Sequence, residues 1–414
     1  MRRERGMGHG ELLYDWNVEG GETPIPPRRV ELDDETLRDG LQSPSVRCPT
    51  TAEKIELLHR MADLGIQGVD IGYAGAGEQT LRDVVALASE IDAAGLAIEA
   101  NCAGRTHRAD IDPIAEAQQR SGVPIEASLF LGSSPIRRYA EGWDFDFLLE
   151  TTDEAVRYAR SLGLEVMYVT EDTTRAHPDD LRRLYTTAIE AGARRICFSD
   201  TVGHATPWGV TALIRFAREL VDATGEDVKI DFHGHRDRGL SIPNSLAALA
   251  AGADRVHGCA LGIGERCGNT PMDVLLVNLR LLGWWDGDLS TLPAYCETAS
   301  RATDTPIPAN YPAIGKDAFE TSTGVHAAAV LKALRKGDTW LANRVYSGVP
   351  ADLIGRSQVI TVGPMSGRAN AEAWLLQHGL PIDPGTVGRI LEAAKRSDRV
   401  LTDEEMAELV GSDA

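Results

Sequence analysis

The sequence predicts an α/β fold, a TIM-type (β/α)8 barrel followed by a smaller, mainly helical C-terminal region. Three observations point there. Short β-type runs alternate with longer amphipathic segments from about residue 28 to 285, and the runs number eight. Polar, chemistry-bearing residues follow the runs rather than precede them, as they do at the C-terminal face of a barrel. An open doubly wound sheet would instead carry a glycine-rich phosphate loop after its first strand, and no such loop is present.

The strands are expected at 29–33, 68–71, 97–101, 125–131, 165–169, 195–198, 228–232 and 255–260. Between them, helical periodicity covers 51–62, 81–94, 152–162, 179–191, 207–223 and 245–251. Strands separated by helices build βαβ units and hence a parallel sheet. Glycine ends helices because it takes the left-handed conformation without a Cβ clash, so Gly65, Gly163, Gly192 and Gly252, each just before an expected strand, read as helix caps. Residues 1–27, ending Pro24-Ile25-Pro26-Pro27, form an N-terminal arm; 28–285 form the catalytic barrel; and 286–414 form C-terminal helical subdomains.

Composition narrows the function. No apolar run approaches the roughly 20 residues that span a bilayer, and the charged start Met1-Arg2-Arg3-Glu4-Arg5 lacks the apolar centre of an export signal. The six cysteines are scattered without paired spacing, as expected of reduced thiols in a cytoplasmic protein. A formal charge of -20 argues against nucleic acid or an anionic membrane as partner. Small-molecule substrates remain, because a local basic pocket can override the global sign.

The most informative feature is His233-Gly234-His235 at the end of the seventh run. Residues i and i+2 of a strand share a face, so both imidazoles can reach one divalent ion, with oxygen ligands supplied from elsewhere. The eighth run leads into Gly262-Ile263-Gly264-Glu265-Arg266-Cys267-Gly268-Asn269, and the first into Glu35-Thr36-Leu37-Arg38-Asp39-Gly40-Leu41-Gln42. Strands seven, eight and one are neighbours in a closed barrel, so His233, His235, Asn269 and Asp39 can converge. Polar clusters also follow the fifth run, from Thr170-Glu171-Asp172, and the sixth, from Ser199-Asp200-Thr201. Structural alternatives stand beside these readings: Arg38 as an ion-pair partner, Glu171 and Asp172 as an acidic pair at a helix start, His326 as a turn residue, Tyr346 as an interface aromatic, Cys267 as a packed thiol.

Together, Leu37-Arg38-Asp39-Gly40-Leu41-Gln42, His233-Gly234-His235 with Asp237 and Gly239, and the Gly262–Asn269 loop resemble the metal-dependent barrel family of 2-isopropylmalate synthase, homocitrate synthase, citramalate synthase and HMG-CoA lyase. Three motifs in order make the resemblance specific over about residues 28 to 370. Gly-Glu-Arg-x-Gly-Asn and a later Gly324-Val325-His326 look like the Claisen-condensing branch. By that resemblance Asp39, His233 and His235 hold a divalent ion (zinc, magnesium or manganese), with Asn269 as a further ligand or its neighbour. Arg38 neutralises the enolate oxygen of acetyl-CoA, the co-substrate. Thr201 and Gln42 bind the 2-oxo acid, and Glu171 serves the acetyl pocket. His326 and Tyr346 are residues that a partner subunit lends, which implies a homodimer with exchanged C-terminal regions.

Elementary chemistry agrees with those roles. A 2-oxo acid chelates a divalent ion, which polarises its keto carbon. A thioester methyl is a weak carbon acid, so its enolate needs a fixed positive group where charge develops, and proton removal calls for a His or Glu of suitable pKa. Some positions depart from the usual synthase pattern: Leu41 replaces an acidic residue and is similar to the lyases, Arg236 replaces Asn or Asp, Pro243 a small residue, and Met365 a frequent His. Arg137 and Arg138 add positive charge for which solvent exposure is the default reading. The expected activity is condensation of acetyl-CoA with a 2-oxo acid. Its rivals are a metal-dependent carbon–carbon lyase, and a non-catalytic metal-stabilised barrel acting as a binding or regulatory partner.

Overall fold

A computed structural model describes residues 9, 12–17 and 25–411; most of the expected N-terminal arm therefore lies outside the described residues. Eight parallel strands close into a barrel in sequential order: β1 Glu31–Asp34, β2 Gly68–Asp70, β3 Glu99–Arg105, β4 Ile125–Gly132, β5 Val166–Glu171, β6 Arg195–Asp200, β7 Lys229–Gly234 and β8 Arg255–Gly258. Pairing of β8 with β1, Val256 beside Leu32 and His257 beside Asp33, completes the ring. The expected barrel is the observed one, and no helix among the described residues is long and apolar enough to cross a membrane.

The surrounding helices form where the sequence offers caps and one apolar stripe. In Thr51–Asp63, Thr50 and Glu53 make a reciprocal capping box, and Leu57, Leu58 and Met61 are buried on the strand-facing side. Gly192 and Gly252 close their helices at φ 117° and 113°, the left-handed region that other residues avoid. Helices Arg108–Ser121 and Pro135–Glu141 add to those singled out from periodicity. All six cysteines are free thiols.

One level of the barrel interior is an ion network. Asp231 on β7 accepts from Arg195 at 2.8 Å and from Arg255 at 2.6 Å. Arg195 also reaches Glu31 at 3.2 Å, and Arg255 reaches Glu126 at 3.1 Å. With Arg255 only 2% exposed, its removal strands buried carboxylates. Arg255→Met should therefore cost about 3–5 kcal/mol of unfolding free energy, the usual scale for breaking a buried pair on one side; urea unfolding of the variant measures it, and a loss under about 1 kcal/mol would show that the network contributes little.

By its internal contacts the chain divides into two compact units, Pro24–Pro306 and Met1–Thr23 with Ile307–Ala414. The expected boundary at 285/286 thus falls earlier than the observed one, because helix Leu292–Thr303 packs on helix Thr51–Asp63. Arg301 bonds Glu56 at 2.7 Å and the Arg47 amide donates to the Thr303 carbonyl at 2.8 Å. The other unit is mainly helical but also holds a short parallel pair, Glu320–Thr321 with Val359–Ile360. Its cores form around Val330, Leu331 and Ala373, and around Trp374, Ile390 and Met406.

Candidate metal centre and active site

Three strand ends build the site. The turn after β1 is tied down locally: the Thr36 amide donates to Asp34 at 2.8 Å, the Thr36 hydroxyl accepts from the Ala260 amide at 2.8 Å, and the Gly40 amide donates to the Glu35 carbonyl at 3.0 Å. Arg38 and Asp39 are thereby held over the barrel mouth. β7 delivers His233, and His235 follows it in a bridge to Asn269. In the loop after β8, Gly264 and Gly268 have φ of 141° and 97°, and a Cβ on Gly268 would collide with the Gly262 carbonyl. Arg236 clasps this loop, donating to the Cys267 carbonyl at 2.5 Å. It acts on the loop rather than on the metal-binding groups.

The ligand atoms of Asp39, His233 and His235 lie within 4.8 Å of one another. Asp39 Oδ2 stands 3.6 Å from His233 Nε2 and 3.4 Å from His235 Nε2. Two ligands at roughly 2.1 Å from one ion are separated by about 3.0–3.5 Å at ordinary coordination angles, so the spacing suits a shared cation. Buried polar atoms without partners carry the stronger argument: Asp39 Oδ2 and Asn269 Oδ1 have no hydrogen bond. Asn269 Nδ2 donates to the Ile263 carbonyl at 3.1 Å, which leaves its oxygen as the unsatisfied atom. Each such atom costs about 1–3 kcal/mol unless something satisfies it. Two imidazoles, a carboxylate and an amide oxygen fit a borderline divalent ion.

Electrostatics favour the ligating forms. Burial, helped by neighbouring His233, pushes His235 down to about 4, so its ring is neutral near pH 7. Burial raises the Asp39 carboxyl, but Arg38 and His233 outweigh it and keep the group below its ordinary value.

Arg38 meets three carboxylates: Glu35 at 2.5 Å, Asp70 at 2.8 Å and Asp39 at 3.3 Å. Five N–H donors in a planar fork leave some free to face the cavity. Sequence pattern does not single out Glu35, Asp70 and His257, yet they hold this centre together. Glu35 lies 3.2 Å from His233 Nδ1, the arrangement by which a carboxylate orients a metal-ligating imidazole. His257 donates to Glu35 at 2.7 Å and to Asp231 at 2.9 Å; burial lowers its pKa, but those two acceptors dominate and hold it up at about 10. Burial pushes the Asp70 carboxyl up to about 7 despite Arg38. Alternation along β1 places Glu31, Asp33 and Glu35 on one face, which is the signal that could have pointed to Glu35.

Arg38, Asp39, Gln42, Glu171, Thr201, His233 and His235 line one cavity of about 280 Å3. The Thr201 hydroxyl accepts from the Asp172 amide at 2.8 Å. Glu171 ends β5 and, being largely buried, has a carboxyl raised by desolvation, with Arg137 and Arg38 opposing. It is followed by a single 3-10 turn at Thr173–Arg175, not by an α-helix start. Phe130 and Glu171 also line an adjoining cavity of about 660 Å3. His326 and Tyr346 belong to the other compact unit, where their rings stack at 4.0 Å. His326 lies in the first turn of helix Gly324–Arg335, and both residues are exposed. Arg137 and Arg138 are ion-paired, with Glu141 at 3.1 Å and Asp180 at 3.3 Å.

Comparison with known proteins gives the family. A family model described as HMGL-like matches residues 29–298. The chain is 32% identical to the probable 2-isopropylmalate synthase of Ignicoccus hospitalis over 395 residues, 93% of this chain and 92% of the relative. It is 32% identical to a putative (R)-citramalate synthase of Methanopyrus kandleri over 375 residues, 90% and 69% of the two chains. The homocitrate synthase of Methanothermobacter thermautotrophicus is 30% identical over 378 residues, 90% of each. Among solved structures, the HMG-CoA lyase of Bacillus subtilis superposes with a TM-score of 0.56 at 21% identity, covering 69% of this chain and 97% of that one. That likeness concerns the fold.

Proposed function

The chain belongs to the HMGL-like family, and from that premise we propose that it condenses acetyl-CoA with a 2-oxo acid. The thioester methyl carbon forms a bond to the keto carbon, and water then cleaves the thioester. A 2-hydroxy-2-carboxymethyl (malate-type) acid, free CoA and a proton result. The carrying observation is the convergence on one cavity of the Asp39, His233 and His235 donors with the Arg38 guanidinium. Relatives named as 2-isopropylmalate, citramalate and homocitrate synthases support the same reaction class.

A divalent ion held by Asp39, His233 and His235, with Asn269 beside them, would supply Lewis acidity at the keto and carboxylate oxygens. Glu35 and His257 fix the orientation of His233 and Arg38. Arg38 meets the thioester oxygen as it becomes an enolate oxygen. Thr201 and Gln42 bind the carboxylate end of the 2-oxo acid, and Glu171, with its raised pKa, holds or releases a proton at the acetyl end. The adjoining cavity, reached past Phe130 and Glu171, suits the nucleotide end of the thioester. Arg108 lies 4.4 Å over the Tyr158 ring and Arg137 5.8 Å from the Trp143 ring there, cations beside aromatic faces.

Thiol release tests the reading. With divalent metal and acetyl-CoA, release should depend on a 2-oxo acid and stop with chelator. Cleavage of a 3-hydroxyacyl thioester with no condensing activity would replace it with the lyase reading that Leu41 favours.

The active form is proposed to be a homodimer in which His326 and Tyr346 act on the partner's cavity. Mixing inactive Arg38→Ala with inactive His326→Ala protein should restore up to about a quarter of wild-type activity through hybrid dimers. No recovery after demonstrated subunit exchange would overturn the arrangement in trans.

A further inference from the structure

Across the barrel from the metal-binding donors, the cavity wall comes from β3 to β6 and carries no cation. Inward positions alternate along each strand: Ser128 and Phe130 on β4, Met167 and Val169 on β5, Cys197 and Ser199 on β6. Register sets Ser128 beside Met167 and Phe130 beside Val169, so the face is continuous. Its polar atoms are few and uncharged: the Ser128 hydroxyl donates to Asn101 at 3.1 Å, the Met167 sulfur accepts from Arg255 at 3.4 Å, and the Ser199 hydroxyl lies 3.9 Å from the Cys197 sulfur.

The guanidiniums that line the cavity already have carboxylate partners, and the donors Arg38 has left are assigned above to the thioester oxygen. Arg38 is held by three carboxylates, and Arg266 by Asp237 at 2.7 Å and by the Thr201 carbonyl at 2.7 Å. Arg137 lines the adjoining cavity and is paired with Glu141. Acidic side chains are more numerous: Glu35, Asp39, Asp70, Glu171 and Glu265 line the same space. One substrate carboxylate can be matched at the metal-binding end. A second, on the side chain of the 2-oxo acid, would face Phe130, Met167, Val169 and Cys197 with Glu171 nearby, desolvated and unpaired, a placement that is strongly disfavoured.

We infer that the β4–β6 wall selects a 2-oxo monocarboxylic acid with a short, uncharged, apolar side chain and rejects 2-oxo dicarboxylic acids. The inference rests on the condensing reading above. Discrimination of this kind arises because a site without a partner for a charge excludes it, while an apolar wall gains only modestly from each methylene.

The test is kcat/KM for thiol release by the metal-loaded, full-length protein with pyruvate, 2-oxobutyrate and 2-oxoisovalerate against oxaloacetate and 2-oxoglutarate. The best monocarboxylate should exceed both dicarboxylates by about a hundredfold or more; a ratio of tenfold or less overturns the inference. Val169→Lys, shown folded by circular dichroism, should narrow the ratio at least tenfold, and an unchanged ratio would show that this wall does not read the side chain. Absence of thiol release with every acid, at full metal content, removes the condensing reading itself and the inference with it. A dicarboxylate preference leaves that reading intact and overturns only the substrate class.

Discussion

Arg38→Lys should lower kcat by at least about a hundredfold, the scale seen when one charge-stabilising donor is taken from an active site. Lysine keeps the charge but not the fork. In the structure the fork spans Glu35, Asp70 and Asp39 at 2.5, 2.8 and 3.3 Å, and a single ammonium cannot hold all three and still face the cavity. The KM for the 2-oxo acid should move much less, because that substrate is proposed to bind at the Asp39, His233 and His235 end with Thr201. Exchange of acetyl-CoA methyl protons with solvent deuterium, measured beside a non-reacting 2-oxo acid analogue, separates the steps. It should fall together with kcat. Wild-type exchange in a variant that no longer condenses would assign Arg38 to a later step.

Asp39→Ala and His235→Ala should lose the bound divalent ion and at least a hundredfold of activity, since changes even to groups that merely orient metal ligands cost 10–100-fold. Stability of the metal-free protein should hardly change. Asp39 Oδ2 and His235 Nδ1 make no hydrogen bond within the protein, and Arg38, which Asp39 Oδ1 meets at 3.3 Å, keeps Glu35 and Asp70 as partners when Asp39 is truncated. Elemental analysis and thermal unfolding after chelation read the two effects. Full metal occupancy in the His233→Ala, His235→Ala double variant would overturn the ligand assignment.

How far the sequence revealed all this depends on whether a residue works alone along the chain or in a pair across it. The strands, their order and the glycine caps follow from local periodicity and turn chemistry, so the barrel could be predicted. Boundaries shift at β3, which runs Glu99–Arg105 instead of 97–101, because Gly104 and Arg105 do not read as strand core. The residues of the three motifs converge as adjacency of β7, β8 and β1 requires. The roles of Glu35, Asp70 and His257 are not legible in sequence because they are pairings between strands, Asp33 beside His257 and Asp33 beside Gly68 among the registers that bring them together. The end of the barrel unit is hard to read for the same reason, since only a long-range contact ties helix Leu292–Thr303 to it.

Carbon tracing tests the central claim most directly. The metal-loaded protein is given acetyl-CoA labelled with carbon-13 in the methyl group together with a short-chain 2-oxo acid, and the products are read by NMR. Carbon–carbon bond formation places the label in the methylene of a carboxymethyl group on a 2-hydroxy acid, in step with the CoA released. Label recovered only as free acetate would mean thioester hydrolysis without condensation and would contradict the account.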